Sequence, residues 1–156
     1  MQFQLEINGN QYQLDGEPDT PLIYVLRNQL GLSSVRFGCG EEQCGACRVL
    51  MADELAFACT LTLAEVGNRP VTTVEGLSAG SQLHPLQEAF IDENAGQCGY
   101  CASGVLLAAA HLLQRNPAPS RLEIQQALAG NLCRCGAHNR IIKAVQRAAR
   151  ELSDGQ

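Results

Sequence analysis

Gly38-Cys39-Gly40-Glu41-Glu42-Gln43-Cys44-Gly45-Ala46-Cys47 sets three cysteines in one short glycine-containing loop, and Cys59 follows after eleven intervening residues. A second group, spaced differently, comprises Cys98, Cys101, Cys133 and Cys135. Two complete sets of four thiolates imply two metal centres. With 156 residues the chain is one ordinary domain or two small ones. The one-quartet-per-half distribution favours two, since halves of roughly 75 residues lie near the size at which metal staples supplement a small core.

The remaining composition excludes several classes. The formal net charge is −5, and the 11 Lys and Arg are scattered and outnumbered by 16 acidic residues, so nucleic acid is not an expected partner. Met1 leads directly into an alternating strand pattern rather than a basic and then apolar leader, and no window approaches the roughly 18 apolar residues of a membrane span. The expectation is a cytoplasmic protein without direct membrane insertion, co-export with a partner remaining open. In a reducing compartment eight cysteines read as ligands rather than disulfides.

Spacing then separates the possible metals. The C-x4-C-x2-C loop of Cys39, Cys44 and Cys47 with its distant fourth, Cys59, is the pattern of a plant-type 2Fe-2S ferredoxin. Structural zinc more often takes its thiolates from paired C-x2-C knuckles. The second quartet suits zinc almost as readily, and iron is favoured there because a neighbouring redox centre gives a second carrier a purpose. Each oxidised cluster, with two ferric ions, two sulfides and four thiolates, adds negative charge to an already acidic chain. Since eight cysteines fill two sites, His84, His111 and His138 are left over, His84 and His111 with structural roles and His138 close enough to Cys135 to hydrogen-bond near its cluster. No dinucleotide loop, Walker sequence or nucleophile-histidine pair is present, so no residue is expected to be catalytic.

Local patterns supply the scaffold. Phe3, Leu5 and Ile7 alternate with polar residues ahead of an Asn8-Gly9 turn, and Tyr12 to Leu14 return. A helix with Pro21 in its first turn, capped by Asp19 or Thr20, presents Leu22, Val25, Leu26 and Leu30 to a core and stops at Gly31. A second hairpin turns at Ala52-Asp53 and returns Cys59 to the loop, and Val71 to Val74 form a last strand. Beyond Gly76-Leu77-Ser78-Ala79-Gly80-Ser81 the period changes from two to about 3.6. Four helices follow, marked by Leu83, Leu86 and Phe90, by Val105 to Leu113, by the capping box Ser120-Arg121-Leu122-Glu123, and by Ile141 to Leu152. Both cysteine pairs of the second quartet precede a helix, where unpaired amides favour an anion. Arg140, Lys143, Arg147 and Arg150 on the last helix read as a solvated face, with a docking patch as the alternative.

Gly38 to Cys47, Gln97-Cys98-Gly99-Tyr100-Cys101 after Gly96, and Asn131-Leu132-Cys133-Arg134-Cys135-Gly136 together resemble one family: the small iron-sulfur subunits and N-terminal regions of the xanthine oxidase-type molybdenum hydroxylases. The resemblance implies an α+β fold, with a beta-grasp 2Fe-2S ferredoxin-like domain over 1–76, a linker over 77–81 and an all-α four-helix 2Fe-2S domain over 82–156. It also implies a large molybdopterin-binding partner subunit. Gln97 would hydrogen-bond the pterin, and Cys135 would lie against it while ligating iron. Electrons from hydroxylation of an aromatic N-heterocycle or aldehyde would pass from molybdenum to the cluster of Cys98, Cys101, Cys133 and Cys135, and then to that of Cys39, Cys44, Cys47 and Cys59. The acceptor would be a cytochrome c-type protein, a flavoprotein subunit or another carrier. Gly136-Ala137-His138, where many members have Thr-Gly-Tyr, resembles the branch with isoquinoline and nicotinate oxidoreductases and some aldehyde dehydrogenases. Two alternatives are a zinc-stapled interaction module without redox role and a free-standing ferredoxin-type shuttle.

Overall fold

The computed structural model describes residues 1–155. Strand β1 (Gln2–Ile7) and strand β2 (Asn10–Asp15) form the first hairpin, with Asn8 and Gly9 both at positive φ (52° and 76°) as its two-residue turn demands. Strands β3 (Arg48–Met51) and β4 (Glu54–Phe57) form the second, and Ala52 and Asp53 also take positive φ (48° and 66°). Strand β5 (Val71–Thr72) joins the two hairpins, parallel to β1 and antiparallel to β3, in a five-stranded sheet ordered β2-β1-β5-β3-β4.

The expected first helix exists but begins and ends differently. Pro21 is the N-cap, in extended conformation, and helix α1 (Leu22–Tyr24) widens at once into a π-helical turn over Val25–Gln29. Its first amides need no side-chain cap because the amides of Leu22 and Ile23 donate to the carbonyls of Leu61 and Ala58. Four core positions are buried along this segment, Ile23 included, with Leu22, Val25 and Leu26. They share a core with Leu5, Ile7 and Val49 of the sheet and with Leu63.

A short helix α2 (Leu63–Val66), not anticipated from the sequence, follows Cys59, opened by a Thr62-Glu65 capping box. The expected last strand is also shorter: it stops at Thr72, and Val74–Leu77 is a 3-10 turn. The reason is local. The Thr73 amide donates to Asn8 Oδ1 at 2.8 Å and its hydroxyl to Glu75, so side chains take over from the strand ladder.

Four helices follow in the expected order: α3 (Pro85–Asp92), α4 (Ala102–Arg115), α5 (Arg121–Ala127) and α6 (His138–Asp154). Leu86, Phe90, Val105, Ala109, Ile124, Ile141 and Val145 share their core, on which Val74 and Leu77 also pack. His84 caps α3 by accepting from the Leu86 amide at 3.1 Å, a structural role. Arg147 reaches Asp92 and Glu93, so it pins α6 to α3 rather than offering a docking charge. No helix among the described residues is long and apolar enough to cross a membrane.

Helix α4 is buried almost all round, from Ser103 to Ala110, because one side faces the helical core and the other lies against β3 and β4. At its exposed end Arg115 and His111 reach Glu54 of β4, a second tie between the two lobes.

Candidate metal centres

The first quartet is assembled by a loop and a hairpin. Amides of Glu41, Gln43 and Cys44 donate to Cys39 Sγ at 3.4, 3.2 and 3.3 Å, and the Cys39 amide donates to Cys44 Sγ at 3.4 Å. The loop is therefore folded around its own sulfur, ready to stabilise thiolate charge. Those amides, the Glu41 amide first, lower the Cys39 pKa to about 7. The β3-β4 register pairs Arg48 with Phe57, and the Ala58 amide donates to the Cys47 carbonyl, bringing Cys47 and Cys59 together at the open end of the hairpin. Both are buried, and desolvation pushes the Cys47 thiol up to about 12. Thr60, next to Cys59, donates to the Glu42 carboxylate and ties the loop down.

The second quartet is built from two helix entries. Cys101 is the N-cap of α4, while Cys133 and Cys135 lie in the loop entering α6. Cys98 lies beside Cys135, and Cys101 beside Cys133. The Tyr100 amide lowers the Cys98 pKa, and burial raises Cys101 to about 12. Burial pushes Cys133 up, but amides of Ala137, Cys135 and Gly136 outweigh it and hold the thiol below its ordinary value. The amides of a helix entry thus converge on sulfur, as expected for an anionic group.

These donors fit diiron clusters. In each quartet the sulfurs meet two by two, Cys39 with Cys44 and Cys47 with Cys59, then Cys98 with Cys135 and Cys101 with Cys133. Among the described residues, no three His, Cys, Asp or Glu side chains are grouped to hold one metal ion. Two thiolates for each of two irons is the donor set of a 2Fe-2S centre. Space is reserved for sulfur as well: a Cβ at Gly38 would stand 2.5 Å from Cys44 Sγ.

The quartets face each other across a cavity of about 290 Å³ lined by Cys39 and Cys44 on one side and by Cys98, Cys101 and Cys133 on the other. At its rim the Tyr100 hydroxyl donates to the Phe37 carbonyl, Arg36 lies over the Tyr100 ring, and Phe37 stacks on Tyr24. Gln97 and Cys98 are exposed, and so is His138, which makes no hydrogen bond to a cysteine among the described residues.

Behind the cavity the lobes meet backbone to backbone. The Leu132 amide donates to the Cys44 carbonyl at 2.9 Å, and Asn131 Nδ2 reaches the Gly45 carbonyl at 3.4 Å. A Cβ on Gly104 would lie 2.0 Å from that carbonyl oxygen, and one on Gly45 would lie 2.5 Å from the Gly130 oxygen. Sequence reading did not find this seam or Arg48, Ser103 and Asn131 within it. The Gly45 and Gly104 that make it possible are separated by an entire lobe boundary.

Comparison with known proteins agrees with this geometry. Residues 5–66 match the family described as 2Fe-2S iron-sulfur cluster binding domain, and residues 73–146 match the 2Fe-2S binding domain. A nicotinate dehydrogenase subunit from Pseudomonas putida is 47% identical over 93% of this chain and 92% of its own. The alpha subunit of isoquinoline 1-oxidoreductase from Brevundimonas diminuta is 47% identical over 93% of this chain and 95% of its own. Quinoline 2-oxidoreductase from Pseudomonas putida 86 superposes with a TM-score of 0.93 at 36% identity, over 99% of this chain and 97% of the matched one. Two facing cysteine quartets, one in a beta-grasp lobe and one in a helical lobe, and relatives of nearly equal length lead to one conclusion: the chain belongs to the family of small 2Fe-2S iron-sulfur subunits of the xanthine oxidase-type molybdenum hydroxylases.

Proposed function

We propose that the chain is the electron-transfer subunit of a heteromeric molybdenum hydroxylase acting on an aromatic N-heterocycle or aldehyde. Cys39, Cys44, Cys47 and Cys59 hold one 2Fe-2S cluster, and Cys98, Cys101, Cys133 and Cys135 hold the other. Each cluster supplies one-electron transfer. The observation that carries this reading is the meeting of sulfurs two by two on both sides of one cavity.

The chain's own residues do three things. Amides of Glu41, Gln43 and Cys44 on one side, and of Ala137 and Gly136 on the other, stabilise thiolate charge without a proton. Burial of Cys47 and Cys59 keeps water from the inner end of the first centre. Gln97, an exposed residue, would hydrogen-bond the pterin of a molybdopterin cofactor held by a large partner subunit, and Cys135 would be both iron ligand and pterin contact. The division into 1–76, a linker at 77–81 and 82–156 is part of the same reading. The acceptor is a separate chain: a cytochrome c-type protein, a flavoprotein subunit or another one-electron carrier. Eight cysteines free of disulfide suit the cytoplasm.

The test is metal and sulfide analysis of the chain purified anaerobically with its natural partners. The expected content is about four iron and four acid-labile sulfide per chain, with two distinct paramagnetic signals after dithionite. Zinc without sulfide, or a chain that migrates alone, would discard the proposal.

A further inference from the structure

Tyr100 stands between Cys98 and Cys101, yet its side chain leaves its own lobe. The hydroxyl donates to the Phe37 carbonyl, and the Arg36 guanidinium lies over the ring, 5.8 Å from its centre. Both contacts fall on the segment that leads into Cys39. Phe37 is itself fixed to that loop: its ring stacks on Tyr24 at 6.1 Å between centres, and a Cβ on Gly40 would stand 3.1 Å from it. Whatever holds Phe37 therefore holds the loop of Cys39.

The fold does not need Tyr100 for its cores. The residue is 48% exposed and belongs to neither hydrophobic cluster, so it buries little apolar area. Its place is at the cavity shared by the two quartets, which it lines. Two other ties join the lobes, and both lie elsewhere. The seam bonds Leu132 to Cys44 and Asn131 to Gly45 behind the cavity, and Glu54 meets His111 and Arg115 toward the far end of α4. Cys39 and Cys98 are the exposed cysteines, one in each quartet. Neither takes part in the seam, and only Tyr100 links their two loops through a side-chain hydrogen bond among the described residues. Without it, the outer rims are free to swing about the seam.

We propose that Tyr100 is a positioning residue that clasps the outer rims of the two quartets and so fixes the separation across which one electron passes from the second centre to the first. The inference rests on assigning the two quartets to two 2Fe-2S centres. In the step it serves, the second centre is oxidised and the first reduced by one electron, and no bond is made or broken. Transfer of that kind weakens steeply with distance, so a clasp that holds both rims acts on rate without touching either iron. The hydroxyl and the ring act together, one on the Phe37 carbonyl and the other under Arg36.

The test compares the native complex of wild type with those of Tyr100→Phe, Arg36→Met and Tyr100→Leu. The first loses the hydroxyl and keeps the ring, the second loses the cation and keeps the hydroxyl, and the third loses both contacts. After full reduction by dithionite both centres are paramagnetic, and the magnetic coupling between them, read from splitting and power saturation, reports their separation. It should weaken in all three variants and most in Tyr100→Leu. Hydrogen exchange of the fragment carrying Glu41, Gln43 and Cys44 should rise about fivefold in each single-contact variant, the factor that one modest interaction supplies, and at least about tenfold in Tyr100→Leu. The fragment carrying Leu132 should stay within about twofold of wild type. A Tyr100 variant with full iron and sulfide and unchanged coupling overturns the inference. So does loss of the second centre from both Tyr100 variants, which would make the residue a support of its own loop alone. Loss of the first centre with the second retained supports it, since Tyr100 then acts across the cavity. A wild-type complex without two reducible centres overturns the ligand assignment itself, and this inference with it.

Discussion

The carbonyl of Cys44 accepts from the amide of Leu132 at 2.9 Å, so one hydrogen bond links a first-quartet residue to the neighbour of Cys133. Around it, Gly45 and Gly104 let the loop backbone rest directly on α4. Gly104→Ala should lower stability by about 2 kcal/mol in urea unfolding. The gain in helix propensity of about 1 kcal/mol is outweighed because the obstructing atom is a backbone carbonyl that no rotamer change can move.

Cys44→Ser and Cys133→Ser should separate the two centres. The first should remove one paramagnetic signal while the partner's substrate still reduces the remaining centre. The second should remove the other signal and lower the yield of assembled complex, since a staple is lost from the helical lobe. Unchanged turnover with the natural acceptor in both variants would contradict the proposed route.

Leu107 on α4 is fully buried. Leu107→Ala should cost about 2–5 kcal/mol. Because α4 serves both lobes, calorimetry should show one transition moving as a unit rather than one lobe melting ahead of the other.

Glu75 gives a pH-dependent tie. Its position at the lobe junction desolvates it, which raises its pKa, but hydrogen bonds from Ser34 and Thr73 outweigh this and hold it below the ordinary carboxylate value. A depressed folded-state pKa contributes stability above the unfolded carboxylate range and loses it as pH falls through the folded value. The stability difference between wild type and Glu75→Gln should therefore be constant from about pH 8 to about pH 5.5 and shrink below about pH 4.5. Matched melts at each pH check this. A difference that grows in acid would contradict it.

Both hairpins, the four helices of the second lobe and the grouping of cysteines were legible in the sequence because each depends on neighbours within a few residues. Asn8-Gly9 and the Ser120-Glu123 box act that way. The same signal was present and unread at Thr62-Glu65, which starts α2. The π-helical turn at Val25–Gln29 was not legible, since the amides that start its helix are satisfied by Ala58 and Leu61, far along the chain. Nor was the end of β5, which Asn8 brings about from 65 residues away. At the candidate site, spacing suggested two groups of sulfurs, but nothing local foretold that Arg48 would face Gly130.

The bare contact of Gly45 with Gly104 also limits how the molecule can be recombined. A hybrid joining this beta-grasp half to a foreign helical half would close only if the donor also lacked a side chain at the touching point. Any methyl there would wedge the halves apart and lengthen the gap an electron must cross, so the two halves are interchangeable only as a matched set.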